Sequence, residues 1–251
     1  MGRKGVDLRD ERRWVFNRLA ADYRARPAYP AAVIDHLARL AGPGSTVVDI
    51  GAGTGLLAVA LAERGLRVIA VEPARAMLDV LREVAGREVV AVHATAEATG
   101  LDPKCAALAV VADALHWMDP AATGRELARV VAPGGGVAVV EPAFADTPFM
   151  RDVARLIAAA NFKARRATSA DRREHLLGAA GARQVQSARF SDAVALDGER
   201  LDAVLRSLSL VGPAIGPEAL ARLLEGARRA AEAHGGAIWA RDIAVTWGRL
   251  R

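Results

Sequence analysis

Residues 47 to 57 read Val-Val-Asp-Ile-Gly-Ala-Gly-Thr-Gly-Leu-Leu: an apolar run holding one acid, three alternating glycines, and a resumed apolar run. The pattern predicts a buried strand that turns through a glycine loop into a helix. Such a unit places a ligand site at the carboxyl edge of a parallel sheet, which restricts the chain to an α/β architecture. Glycine at 51, 53 and 55 removes the Cβ atoms that would hold a ligand off the backbone, and it admits dihedrals other residues avoid.

The spacing then narrows the ligand. A dinucleotide site takes G-x-G-x-x-G, whose third glycine lets pyrophosphate reach the helix N-terminus. Here that third position is Leu56, and the glycines run G-x-G-x-G. Asp49, just before the loop, would repel pyrophosphate and attract an ammonium group. A cationic nucleoside without phosphate fits this combination, and S-adenosylmethionine is one.

At 251 residues the chain fits one α/β domain with an insertion, or at most two small domains, and a single domain is the expectation. Its 52% hydrophobic content supports a sizeable core and argues against global disorder. The longest apolar runs, such as Cys105 to Ala112, fall well short of the roughly 18 residues of a membrane helix. Met1 to Arg13 lacks the apolar centre of a secretory signal, and Val6 breaks the myristoylation pattern. Cys105 is the single cysteine, which excludes a disulfide framework and a thiolate metal cluster. A cytoplasmic protein is the expectation. The net charge of +5 is carried almost wholly by arginine, in clusters at Arg3–Arg18, Lys163–Arg173 and Arg228-Arg229. None is interleaved with the aromatics that single-stranded nucleic acid stacks on, so solvated helix faces account for them.

Ala20 to Ala41 reads as two helices separated by an extended kink at Pro27 and Pro30. Strands are then expected at Thr46–Ile50, Arg67–Val71, Glu88–His93, Ala107–Ala112 and Val137–Val140, alternating with helices at Gly55–Arg64, Ala74–Glu83 and Gly124–Val131. Pro133-Gly134-Gly135-Gly136 reads as a helix stop and turn. Two β-like segments, 184–190 and 240–247, are expected to close the sheet as an antiparallel edge pair. The helical segments 143–181 and 192–238 are expected to cap the carboxyl edges, leaving 16–142 as the cofactor-binding core.

In these motifs the chain resembles class I S-adenosylmethionine-dependent methyltransferases. More narrowly, it resembles the type 11 small-molecule group that includes trans-aconitate methyltransferase-like proteins. The likeness runs from about Phe16 to Glu141. It implies a Rossmann-like, doubly wound, seven-stranded sheet, mostly parallel with an antiparallel edge strand, plus a helical cap. It implies that Asp49, Gly51, Ala52, Gly53 and Gly55 pass beneath the methionine part of the cofactor. Glu72, followed by Pro73, would grip both ribose hydroxyls, a task for a carboxylate that accepts two hydrogen bonds at once. The bland alternative for Glu72 is a solvated strand end. Ala96 and Glu97 would sit beside adenine, or else Thr95 and Glu97 open a helix. Met77 would pack on the adenosine, or be plain core.

After the fourth strand the chain reads Ala112-Asp113-Ala114-Leu115-His116-Trp117-Met118-Asp119. Asp113 stands where Gln or Asn is commoner in the family, and Met118 where Phe is usual. Residues 112 and 113 would face the methyl donor. His116 is the histidine placed to act as a general base, or else to shape the pocket wall with Trp117. Tyr23-Arg24-Ala25-Arg26-Pro27-Ala28-Tyr29-Pro30 resembles the family segment that folds over the cofactor, with Tyr23 and Arg26 near its carboxylate. The alternative is a linker pinned by two prolines.

The resulting expectation is methyl transfer to a small-molecule acceptor, without metal and without a membrane partner. RNA methylation is the rival suggested by the arginine excess, although the Asn/Asp-Pro-Pro-aromatic tetrad of base N-methylating enzymes is missing. A non-catalytic cofactor-binding protein of the same fold is the third reading.

Overall fold

In the computed structural model, which describes residues 8–161 and 169–251, Thr46–Ile50 forms β1 at the centre of a seven-stranded sheet. It pairs in parallel with β2 (Arg67–Val71) and with β4 (Ala106–Ala112). β3 (Val89–Val92) continues the parallel ladder beyond β2, and β5 (Val131–Phe144) beyond β4. β7 (Ala237–Arg249) runs antiparallel to β5, and β6 (Arg183–Leu196) antiparallel to β7. The order is β3-β2-β1-β4-β5-β7-β6. The two closing strands form the expected antiparallel pair, with β6 outermost. Strand order reverses at β1, so the carboxyl ends of β1 and β4 flank the crevice where such sheets bind ligands.

Helices cover both faces because each carries one apolar stripe. α2 (Ala31–Ala41), α3 (Leu56–Ala62) and α4 (Arg75–Val84) bury Val33, Ile34, Leu37, Leu57, Leu61, Leu78 and Leu81 against one face. Each such side chain contributes about 1.5–3 kcal/mol by leaving water. On the other face, α5 (Pro120–Val130) and α7 (Ser169–Ala179) bury Leu127, Val130, Leu176 and Leu177. α5 and α7 approach closely because residue 124 is glycine: a Cβ there would lie 2.5 Å from the Leu176 carbonyl oxygen.

A further cluster joins α6 (Pro148–Ala160), α8 (Gly198–Ser207) and α9 (Pro217–Ala233) to Trp239 of β7 through Phe149, Val153, Leu201, Leu205 and Leu223. α1 (Leu8–Tyr23) lays Leu19 and Ala20 on Ala74 and Met77 at the start of α4. The Asn17 side-chain oxygen accepts the Ala76 backbone N–H there at 3.0 Å.

Several sequence expectations need correction. The helix expected over Gly124–Val131 spans Pro120–Val130, because the Asp119 carboxylate caps it by accepting the Ala122 N–H and Pro120 suits its first position. Pro133–Gly136 does not end in a free turn but is absorbed into β5. Pairing to β4 steps from Ala106↔Val131 to Leu108↔Gly136, so the extra residues bulge out of the ladder. The segment 192–238 starts as strand, since β6 holds its pairing through Leu196↔Ala237. In the segment 143–181, α7 packs on α5 and the sheet face, so only its first turn reaches toward the carboxyl edge. The readings of Met1–Asp7 and of Lys163–Arg166 lie outside the described residues.

Candidate active site

The glycine loop bends where φ is positive: 71° at Gly51, 56° at Gly53 and 88° at Gly55. L side chains rarely adopt these values. The Gly51 and Ala52 N–H groups donate to the Val71 carbonyl at 2.8 and 3.1 Å, tying the loop to the end of β2. A Cβ on Gly51 would lie 2.6 Å from the Ala114 Cβ, so Gly51 keeps β1 and the turn after β4 in contact. A Cβ on Gly55 would lie 2.2 Å from Leu81 Cδ1. Gly55 therefore serves the packing of α3 on α4 and lines neither cavity described below.

Asp49, on β1, is 1% exposed, and neither carboxylate oxygen has a hydrogen-bond partner among the described residues. Burial, with the charge of Glu72 adding to it, pushes its carboxyl up to about 7. The Ala58 backbone amide, which falls short of hydrogen-bonding geometry, opposes both. A buried carboxyl without donors is costly. Its place on the cavity floor, beside the glycine loop, presents that charge to whatever the loop holds.

Glu72 follows β2 and is also buried. One oxygen accepts the Gly53 N–H at 2.9 Å, the other the Ala74 N–H at 2.8 Å. These bonds aim the carboxylate across the loop. Each oxygen has a second lone-pair site, which is the capacity a vicinal diol requires.

Two cavities adjoin this loop. The narrow one, of about 60 Å³, is lined by Gly51, Gly53, Glu72, Pro73, Met77 and Ala96, together with Ala112 and Asp113. Tyr23 and Phe16 of α1 close it against Trp117, with the Phe16 and Trp117 rings edge to face at 5.0 Å. Met77 is at once cavity wall and core, 1% exposed. Glu97 lies apart from both cavities. Its carboxylate accepts the Asp119 backbone N–H at 2.9 Å and so braces the start of α5. No helix starts at Thr95; residues 95 to 98 form a turn closed by the Ala98 N–H on the Thr95 carbonyl at 3.3 Å.

The large cavity, of about 1490 Å³, opens from the loop toward α6 and α8 and takes in Tyr23, Arg26, Asp49, Ala52, Asp113 and His116. Asp113 has φ 48°, and its N–H donates to the Val140 carbonyl at 2.9 Å. The strand thus continues for one rung and then turns, leaving the carboxylate between the two cavities. Arg26 is a hub. Its Nη1 donates to the Tyr23 hydroxyl at 3.0 Å and to Asp113 at 3.2 Å, while Nε and Nη2 reach the Ser207 hydroxyl and carbonyl at 2.9 Å. The segment after α1 is thereby tied to β4 and α8 together. Burial raises the Tyr29 phenol well above its usual range, and Asp113 adds most among the charges. Tyr29 therefore stays a neutral donor. His116 stands exposed on the rim, in the 3-10 turn Leu115–Trp117, with its ring 5.1 Å from that of Trp117.

The sequence reading missed Glu141, Asn161, Arg172, Arg173, Trp239 and Arg241, all of which line the large cavity. They come from β5, the end of α6, α7 and β7, and no local motif marks them. Among the described residues no group of His, Cys, Asp and Glu has the arrangement to hold a metal ion, and no helix is long and apolar enough to cross a membrane.

Comparison with known proteins places this geometry. Residues 48–139 match the family described as a methyltransferase domain, of type 11. The chain is 48% identical over 117 residues to an uncharacterized methyltransferase of Mycobacterium tuberculosis, an alignment covering 47% of each. It is 40% identical over 130 residues to ribosomal RNA small subunit methyltransferase A of Anaeromyxobacter dehalogenans, covering 51% of this chain and 39% of that one. The chain thus matches about half the length, or less, of these curated relatives. Among solved structures it resembles a protein of Anaeromyxobacter dehalogenans provisionally described as a type II methyltransferase, with TM-score 0.64 and 25% identity over 89% of this chain and 97% of that one. It also shares the fold of phosphoethanolamine N-methyltransferase 2 of Haemonchus contortus, solved with S-adenosylmethionine, at TM-score 0.58 and 15% identity over 99% of this chain and 61% of that one.

Proposed function

We propose that this chain, whose residues 48–139 match a methyltransferase domain family, uses S-adenosylmethionine to methylate a small molecule. One observation carries the reading: a buried Asp49 carboxylate without hydrogen-bond donors lies under a glycine loop that Glu72 spans. The residues fit the cofactor. Glu72 would hold its ribose, Asp49 its ammonium group, and Met77, Pro73 and Ala96 its base. Gly51 and Gly53 would let its methionine part lie on the backbone. The loop has no basic side chain for a pyrophosphate. When bound, S-adenosylmethionine supplies a methyl carbon activated by the adjoining positive sulfur.

The chain's own contribution is placement. Asp113, held by Arg26, stands at the junction of the two cavities, where donor and acceptor must meet. Alignment of that kind supplies about 7–11 kcal/mol of barrier reduction in well-oriented reactions. Arg26 and Tyr23 close the junction to water from the α1 side. Where the acceptor loses a proton, His116 on the rim, or Asp113, is the group placed to take it. The segments 143–181 and 192–238 furnish the acceptor walls.

Methylation of RNA is the second reading, favoured by the 40% identity to the ribosomal RNA enzyme. Against it, the residues after β4 are Asp113-Ala114-Leu115-His116, which depart from the Asn/Asp-Pro-Pro-aromatic tetrad of base N-methylating enzymes. The test is transfer of labelled methyl from the cofactor into separated metabolite and RNA pools. Label in metabolites supports the proposal, and label confined to RNA overturns it.

A further inference from the structure

The large cavity, of about 1490 Å³ with its end at Asp49, Gly51 and Gly53 included, is lined by both apolar and charged residues. Near α6, β7 and the segment after α8 its apolar lining residues include Ala154, Ile157, Leu208, Leu210, Phe144 and Trp239. Four arginines also line it, Arg26, Arg172, Arg173 and Arg241, and they are not equivalent. Arg26 is paired with Asp113, Arg173 with Glu141, and Arg241 with Asp192. Arg172 has no carboxylate partner among the described residues. Its Nη2 donates to the carbonyls of Leu115 and Met118, while its Nε is buried with no acceptor. Its Nη1 has no hydrogen bond among the described residues either.

Two backbone carbonyls do not neutralise a guanidinium, and a half-buried cation without a counter-ion is unfavourable unless a ligand supplies one. Arginine is suited to that role because it stays charged at every relevant pH, and Nη1 is the donor left for an anionic oxygen. The remaining wall offers an apolar surface of the kind that buries a ligand's body.

We propose that the methyl acceptor is an amphipathic organic acid: a bulky apolar body lodged between α6 and Trp239, with one anionic head on Arg172. The inference rests on the reading of the large cavity as the acceptor site. Arg172 is then a specificity residue, and the apolar wall decides the size of the body accepted.

The test uses calorimetric titration of the full chain saturated with S-adenosylhomocysteine. The probes are 2-naphthoate, its neutral counterpart 2-naphthalenemethanol, and benzoate. Naphthoate is expected to bind at least tenfold tighter than the alcohol and tenfold tighter than benzoate. Arg172→Gln should abolish the first preference and keep the second, and Arg172→Lys should restore part of the first. Filling the apolar end with Ala154→Trp should abolish the second preference and keep the first. Equal binding of naphthoate and the alcohol to the unaltered protein overturns the proposal without any variant. So does a preference that survives Arg172→Gln, or failure of every probe while S-adenosylhomocysteine binds. If S-adenosylhomocysteine itself does not bind, the methyltransferase reading fails instead, which keeps the two failures apart.

Discussion

Replacing Asp49 with asparagine should make the ligand-free protein more stable at pH 8, by an advantage that grows as pH rises from the unfolded toward the folded pKa of the native carboxyl. Burial and the charge of Glu72 raise this carboxyl from 3.8 to about 7 in the folded state. An acid with a raised folded pKa contributes its stability in full below the unfolded pKa. That contribution is lost as pH rises through the folded pKa. The shift of about three units corresponds to about 4 kcal/mol lost between pH 4 and pH 8, at about 1.36 kcal/mol per unit. Asparagine has the same shape and no charge to bury, so Asp49→Asn should recover about 2–4 kcal/mol at pH 8. At pH 4 the two proteins should be nearly equal. Urea denaturation of both proteins at several pH values between 4 and 8 measures the difference directly. The same variant should bind S-adenosylhomocysteine more weakly, having lost the charge opposite its ammonium group. An asparagine variant no more stable than the native protein at pH 8 would refute the electrostatic reasoning.

Glu72→Ala should weaken S-adenosylhomocysteine binding by about 2–4 kcal/mol in calorimetry, the sum of one or two charge-assisted hydrogen bonds; unchanged affinity would remove the ribose assignment. His116→Ala should slow turnover and leave cofactor affinity intact if the acceptor gives up a proton there, while unchanged turnover assigns His116 to the cavity wall. The narrow cavity holds no more than a few waters at about 60 Å³, so a nucleoside must displace Phe16 or Trp117. Trp117 emission should therefore shift on cofactor binding, a change absent in Trp117→Phe. Glu126 is held down to about 2 by the Arg129 guanidinium and the Thr99 hydroxyl and N–H. Its contribution to stability is present above pH 4.5 and lost as pH falls toward 2, and Glu126→Gln should cost about 1–3 kcal/mol at pH 7 in urea denaturation.

β1 and β2 were legible to the residue because each is a short apolar run between turn residues, so local pattern and burial agree. The start of α5 was not, because Asp119-Pro120 belongs at once to the motif after β4 and to the helix cap. β6 was read too short because one of its faces is solvated from Ser187 to Ala195, and an exposed strand of small and polar residues carries little apolar pattern. The residues proposed to face the cofactor carry a local signal, because Asp49 ends β1 and the glycines, Glu72 and Ala96 each come soon after a strand in sequence. The far wall of the large cavity was not legible, because Asn161, Arg172 and Trp239 meet only through the tertiary packing of α6, α7 and β7. Glu97 differs: its carboxylate accepts the Asp119 N–H and it lines neither cavity.

The central claim is that the loop at 51–55 holds a phosphate-free cationic nucleoside. Calorimetric titration of the native chain with S-adenosylhomocysteine, and separately with NAD, tests it most directly. The account predicts one-to-one binding of S-adenosylhomocysteine that weakens below pH 7 as Asp49 takes up a proton, and no binding of NAD. Binding of NAD with none of S-adenosylhomocysteine would contradict it.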